Sequence, residues 1–206
     1  MVVPPEADKN SLPRFAPPDK LKAALFSDET SWKTAAGILL GIVNILGIGF
    51  REETIFRGVI GNNLGIACEK DLRGVWKAVI ISGLIFGLSH LTNIFSGVNP
   101  ARALIQVVSA CAIGMYYTAV YFRGGNFWAL VLIHSLTDAG GLFRSAFTTA
   151  ETTVGAINNL SITGMVMIPI YLGITVFLLR KKKMDAVFEN LKQASEYDRK
   201  VSGMNY

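Results

Sequence analysis

The chain has 206 residues, of which 51% are hydrophobic and 17% charged, with a net charge of +5 and a mean hydropathy of +0.40. A soluble domain carries about 25% charged residues, so an ordinary water-soluble globule fits poorly. The lysines and arginines gather at the ends of apolar segments, which is the pattern of membrane flanks and not of a nucleic-acid surface.

Residues 1–33 hold five of the seven prolines, namely Pro4, Pro5, Pro13, Pro17 and Pro18. That density forbids a helix, and no basic stretch leads into an apolar one as in a signal peptide. An extended arm is expected here, with Leu21 to Phe26 able to make a short interfacial turn. Residues 34–180 are expected to form the membrane domain and 181–206 a charged tail. Five apolar segments follow one another in the domain. The first, from about Ala35 to Ala67, is too long for one upright span at about 1.5 Å per residue. It must tilt, project from the bilayer, or kink near Gly47 and Gly49. The second runs from Val75 to about Phe95, the third from Ala101 to Phe122, the fourth from Phe127 to about Phe147. A polar stretch, Thr148 to Asn159, precedes the fifth, Ser161 to Leu179. Only helices or closed barrels satisfy the backbone in lipid, and the strict alternation of a barrel is absent. The reading is an all-α transmembrane bundle of about five to six helices around an intramembrane polar cavity, its glycines, as in Gly83-x-x-x-Gly87, allowing close packing.

Short-loop charges suggest the orientation. Lys70, Arg73, Lys77, Arg123 and Arg180 to Lys183 fall on one side of a five-helix arrangement, with Arg102 and Arg144 on the other. The first side, with the C-terminal tail, is expected to be cytoplasmic. The basic residues of the arm (Lys9, Arg14, Lys20, Lys22, Lys33) fall on the opposite side and conflict with this assignment. The tail after Lys183 mixes both charge signs, as a short solvated helix would. Cys68 and Cys111 have no metal-ligand spacing and give no disulfide framework.

Ionisable residues interrupt these apolar segments. Glu52, Glu53 and Arg57 lie within the first, His90 closes the second, and His134 and Asp138 lie within the fourth. A charged side chain at the bilayer centre costs about 2.5–3.5 kcal/mol even on lenient scales, so these groups are expected to face one another. Glu53 and Arg57 are four residues apart and share a helical face. Glu52 points roughly 100° away, leaving its carboxylate free of that pair. Phe86 and His90, and His134 and Asp138, have the same four-residue spacing. Such a set suits hydrolysis, with a carboxylate as general base toward water and an imidazole sharing or passing the proton. Neither Ser89 nor Ser135 sits in a nucleophile context, so water is the expected nucleophile.

Three motifs carry a resemblance. Glu52-Glu53-Thr54-Ile55-Phe56-Arg57-Gly58 reads EExxxR, Phe86 to His90 reads FxxxH, and His134 to Asp138 reads HxxxN/D. In this order, on apolar segments, they resemble the CAAX-protease and bacteriocin-processing (CPBP, or Abi) family of intramembrane glutamate proteases, over about residues 35–145. The resemblance implies Glu52 as base with His90, Glu53 as an orienting group anchored by Arg57, and His134 with Asp138 on the oxyanion side. Because an acid–base pair of Glu52 and His90 suffices to activate water, no cofactor and no metal are expected. The resemblance also implies a membrane-associated protein or peptide as substrate, within the lipid bilayer of a cell membrane, and no nucleic acid as partner. Eukaryotic members carry Asn where Asp138 stands, so a prokaryotic protein is expected. Family members carry several helices before the first motif. A short member, or one completed by a partner subunit or a second copy, is therefore expected. Two rivals share the residues: a zinc protease, weakened by the lack of HExxH, and a proton-coupled transporter, weakened by the lack of an inverted repeat. A non-catalytic immunity or scaffold protein on the same fold is the third.

Overall fold

Most of the exposed surface of the first helix is apolar. In the computed structural model, which describes residues 31–68, 71–146 and 166–203, helix α1 spans Ser31–Glu53 and exposes Ile38, Leu39, Leu40, Val43 and Leu46. An apolar exterior of this kind fits lipid. The helix is continuous through Gly47 and Gly49. Open space surrounds Gly47, whereas a Cβ on Gly49 would fall 2.4 Å from Ser135 Oγ, so Gly49 is a packing contact with the fourth apolar segment. The departure from α-geometry comes later, in a π-helical segment Thr54–Gly61, followed by α2, Asn62–Cys68. Its residues explain the position. Thr54, Ile55, Val59 and Ile60 are β-branched and Gly58 and Gly61 are glycines, all weak α-formers. The wider turn leaves the Phe56 carbonyl to accept from Ser82 Oγ at 3.4 Å.

The remaining segments begin and end at local signals. Asp71 caps α3 (Leu72–Ser89) by accepting from Gly74 N at 2.7 Å. A 3₁₀ segment, His90–Ser96, continues it and stops at Gly97, whose φ is 92°. Helix α4 (Pro100–Gly124) starts with a proline in its first turn behind the Asn99 cap and ends at Gly125 with φ 62°. Helix α5 is Phe127–Ala146, α6 is Met167–Leu178 and α7 is Met184–Ser202. Among the described residues there is no strand, and the all-α expectation holds.

Helix α4 is central, packing on α3, α5, α6 and α7, while α1 packs on α5. Gly83 and Gly87 let α3 approach α4 closely. A Cβ on Gly83 would lie 2.8 Å from Met115 N, and one on Gly87 2.2 Å from Cys111 Sγ. Two stretches of 25 residues, Leu72–Ser96 and Pro100–Gly124, have mean hydropathies of 1.7 and 1.6 and are long enough to cross a bilayer. Phe127–Gly140 and Met167–Leu178 are shorter apolar helices.

The tail differs from the solvated helix expected of it. Met184, Val187 and Leu191 of α7 are buried with Val75, Val79, Ala119, Phe122 and Leu179 in one core cluster. Their spacing places them on one stripe, and burial of that stripe outweighs the exposed charges on the opposite face. Asn190 Nδ2 donates to the Phe122 and Arg123 carbonyls at 3.0 and 3.1 Å, which closes the end of α4. The proline-rich arm, Glu69 and Lys70, and the polar stretch from Thr148 lie outside the described residues, as does the start of the fifth apolar segment.

Candidate active site

Arg57 and Glu53 are the deepest charges in the bundle, both at 0% exposure. Arg57 Nη1 donates to Glu53 Oε1 at 3.0 Å and Nη2 to the Gly114 carbonyl of α4 at 3.1 Å. Its guanidinium lies over the Phe86 ring at 4.4 Å and faces the Tyr117 ring at 5.2 Å. Aromatic faces attract such a cation, so α3 and α4 both contribute to holding an arginine that begins on the π-helical segment. The four-residue pairing expected from the sequence is present.

His134 joins the same carboxylate from α5. Its Nδ1 donates to Glu53 Oε1 at 2.6 Å, and its Nε2 lies 3.8 Å from Glu52 Oε2 and 3.5 Å from Asp138 Oδ2. Three carboxylates therefore surround one imidazole. They are not equivalent. The Glu53 side chain is sealed, while those of Glu52 and Asp138 keep 20% and 35% of their surface. Glu52 is held loosely, with the exposed Arg51 at 3.7 Å as its other charged contact.

His90 stands apart from Glu52 and forms no ion pair or hydrogen bond with it. Its ring packs against Phe86, with centroids 4.9 Å apart, and Phe86 in turn lies 6.0 Å from the His134 ring. His90 Nδ1 is 2.9 Å from the Phe86 carbonyl. A carbonyl only accepts, so Nδ1 carries the proton and Nε2 is left available. This also disposes of Ser89 as a His-activated nucleophile. Its Oγ is 3.4 Å from that same protonated nitrogen and donates to the Phe86 carbonyl at 2.7 Å. Ser135 likewise donates to its own helix, at Val131 O, 2.8 Å.

One side chain of the site was not anticipated from the sequence. Tyr117 of α4 is 1% exposed, its ring is 5.0 Å from His134, and its buried hydroxyl lies within reach of the Thr137 side chain of α5. No motif marks α4; Tyr116 and Tyr117 are adjacent in sequence, and only packing decides which one faces inward. Close as the three carboxylates are to His134, no group of three or more His, Cys, Asp or Glu side chains among the described residues has the arrangement of a metal-ligand set. Beside the site an apolar groove of about 540 Å³ is lined by Leu46, Gly47, Phe50, Trp128, Val131 and Leu132.

A helical bundle with an apolar exterior and a cluster of ionisable groups in its interior is that of a membrane protein with a built polar site. Residues 34–140, just over half of the chain, match the family described as type II CAAX prenyl endopeptidase Rce1-like. The chain belongs to this family, and is in general terms a CAAX-type membrane protease. Neither the curated proteins nor the solved structures yield a match.

Proposed function

We propose that the chain is an intramembrane endopeptidase that hydrolyses a peptide bond in a membrane-associated protein or peptide, with Glu52 as general base toward water. One observation carries this reading: of two adjacent glutamates, Glu53 is sealed and bonded to Arg57 and His134, whereas Glu52 stays open and loosely held. His134, not His90, is the imidazole closest to Glu52, and the 3.8 Å between Nε2 and Oε2 leaves room for one water bonded to both off the direct line. Glu52 takes a proton as the water oxygen attacks the peptide carbonyl carbon, and the oxyanion forms. The C–N bond then breaks, and the proton passes to the departing amine. Asp138 and Tyr117 line the side where the oxyanion develops, where the Tyr117 hydroxyl, beside Thr137, can turn to donate. His90, with Nε2 available, stands on the Phe86 side as a carrier for the proton of the leaving amine.

This chemistry needs no metal, and we propose that none takes part. The family description names a prenyl endopeptidase, and a prenyl chain on the substrate suits the apolar groove at Phe50 and Trp128. The basic ends of α3, α4 and α6 support a multi-pass arrangement with the C-terminal tail on the cytoplasmic side. The test is a single turnover of a membrane-anchored peptide in ¹⁸O-water with excess chelator. The new C-terminal carboxylate should carry one ¹⁸O at an undiminished rate. An unlabelled first product would mean that an enzyme carboxylate attacks directly, and loss of the rate, restored by zinc, would favour a metalloprotease.

A further inference from the structure

The end of the bundle away from the His90 segment carries a belt of cations that the proteolytic reading does not use. Arg73 and Lys77 stand on the first turns of α3, Arg123 on the last turn of α4, and Arg180, Lys181, Lys182 and Lys183 directly after α6. The core cluster formed by Val75, Phe122, Leu179 and Met184 places these helix ends together. None of the seven forms an ion pair with a carboxylate of the described residues. The charge is a belt and not a general surface property, because α7 beyond it offsets its own cations, Lys192, Arg199 and Lys200, with Asp185, Glu189, Glu196 and Asp198.

Part of the belt is fixed in position. Arg180 lies over the Phe177 ring at 4.1 Å and Lys183 Nζ faces the same ring at 5.2 Å. Phe177 is half exposed on the last turn of the apolar helix α6. Arg123 donates to the Lys183 carbonyl, so its guanidinium is held beside the same turn. Lys181 and Lys182 are exposed next to them. Cations clamped on an outward-facing aromatic at the end of an apolar helix sit at the depth of lipid headgroups. Unpaired positive charge at that depth attracts anionic lipid.

We propose that this belt binds the headgroups of anionic phospholipids, with Arg123, Arg180 and Lys183 as a fixed cradle and Lys181 and Lys182 as flanking contacts. Lipid is favoured over an acidic protein because the cradle is built on a lipid-facing aromatic and not on the solvent side of α7. The experiment uses the full chain in mixed micelles of phosphatidylglycerol and phosphatidylcholine, with native mass spectrometry of the lipids retained. The wild type should retain phosphatidylglycerol preferentially. Lys181→Gln with Lys182→Gln, two exposed side chains without packing roles, should cut that preference roughly fivefold per residue. The control Lys192→Gln with Lys200→Gln on α7 should leave it unchanged. Equal retention of both lipids, or an equal drop in the control, would overturn the proposal. So would displacement of the lipid by inorganic phosphate or by a polyglutamate peptide at matched charge, which would mark a free-anion site or a protein-docking site.

Discussion

Glu52 and Glu53 are adjacent in the chain and belong to two different regions of the molecule. The inner layer, Glu53 with Arg57 and His134, is closed to solvent and tied to three other helices through Gly114, Phe86 and the α5 imidazole. The outer layer, Glu52 with Asp138, is partly open, and its charges lie 3.5 Å or more from any partner. One residue of helical rotation, roughly 100°, separates a structural carboxylate from one free to take a proton. The inner layer carries the energetic cost of buried charge so that the outer layer can keep an uncommitted group.

The largest effect that would break this comparison lies in the inner layer. Glu53→Gln leaves Arg57 buried without a carboxylate, with a stability loss of about 3–5 kcal/mol, and Arg57→Met, which leaves Glu53 its bond from His134, should cost less. Unfolding of the purified variants in a mild detergent measures it, and stabilities equal to that of Glu52→Gln would erase the distinction. A smaller effect is expected where the scaffold holds Phe86 against Arg57. Gly87→Ala places a methyl 2.2 Å from Cys111 Sγ and 2.8 Å from the Val107 carbonyl, and overpacking of this kind costs about 1–3 kcal/mol. Combining it with Cys111→Ala should recover part of the loss in the same unfolding assay. The smallest effect belongs to the outer layer. Asp138→Asn keeps the shape and a polar partner for His134 Nε2, so turnover of a membrane-anchored peptide should be largely kept. An inactive Asn variant beside an active Asp138→Glu would show that a negative charge is needed there.

Part of each layer is legible in the sequence, because helical spacing alone pairs Glu53 with Arg57 and His134 with Asp138. The cost of burying charge then requires such residues to converge. The partner of Glu52 was not legible. The expected His90 lies where α3 tightens into a 3₁₀ segment, and its Nδ1 turns back to the Phe86 carbonyl, a local geometry that no spacing rule reports. The π-helical segment is equally hidden: its weak α-formers are visible, but the length of the first apolar segment calls only for a tilt, a projection or a kink near Gly47 and Gly49, and none of these points to Thr54–Gly61. Tyr117 had no motif to mark it. The stripe of α7, by contrast, was available in Met184, Val187 and Leu191 and was obscured by the charges between them.

The central claim, that the open glutamate activates water while the sealed one supports it, is tested most directly by Glu52→Gln. Turnover and unfolding are read on the same purified preparation. Removing a general base should lower turnover by about 10²–10⁴-fold, with stability within about 0.5 kcal/mol of wild type. Substantial residual turnover in a fully folded Glu52→Gln variant would contradict the account.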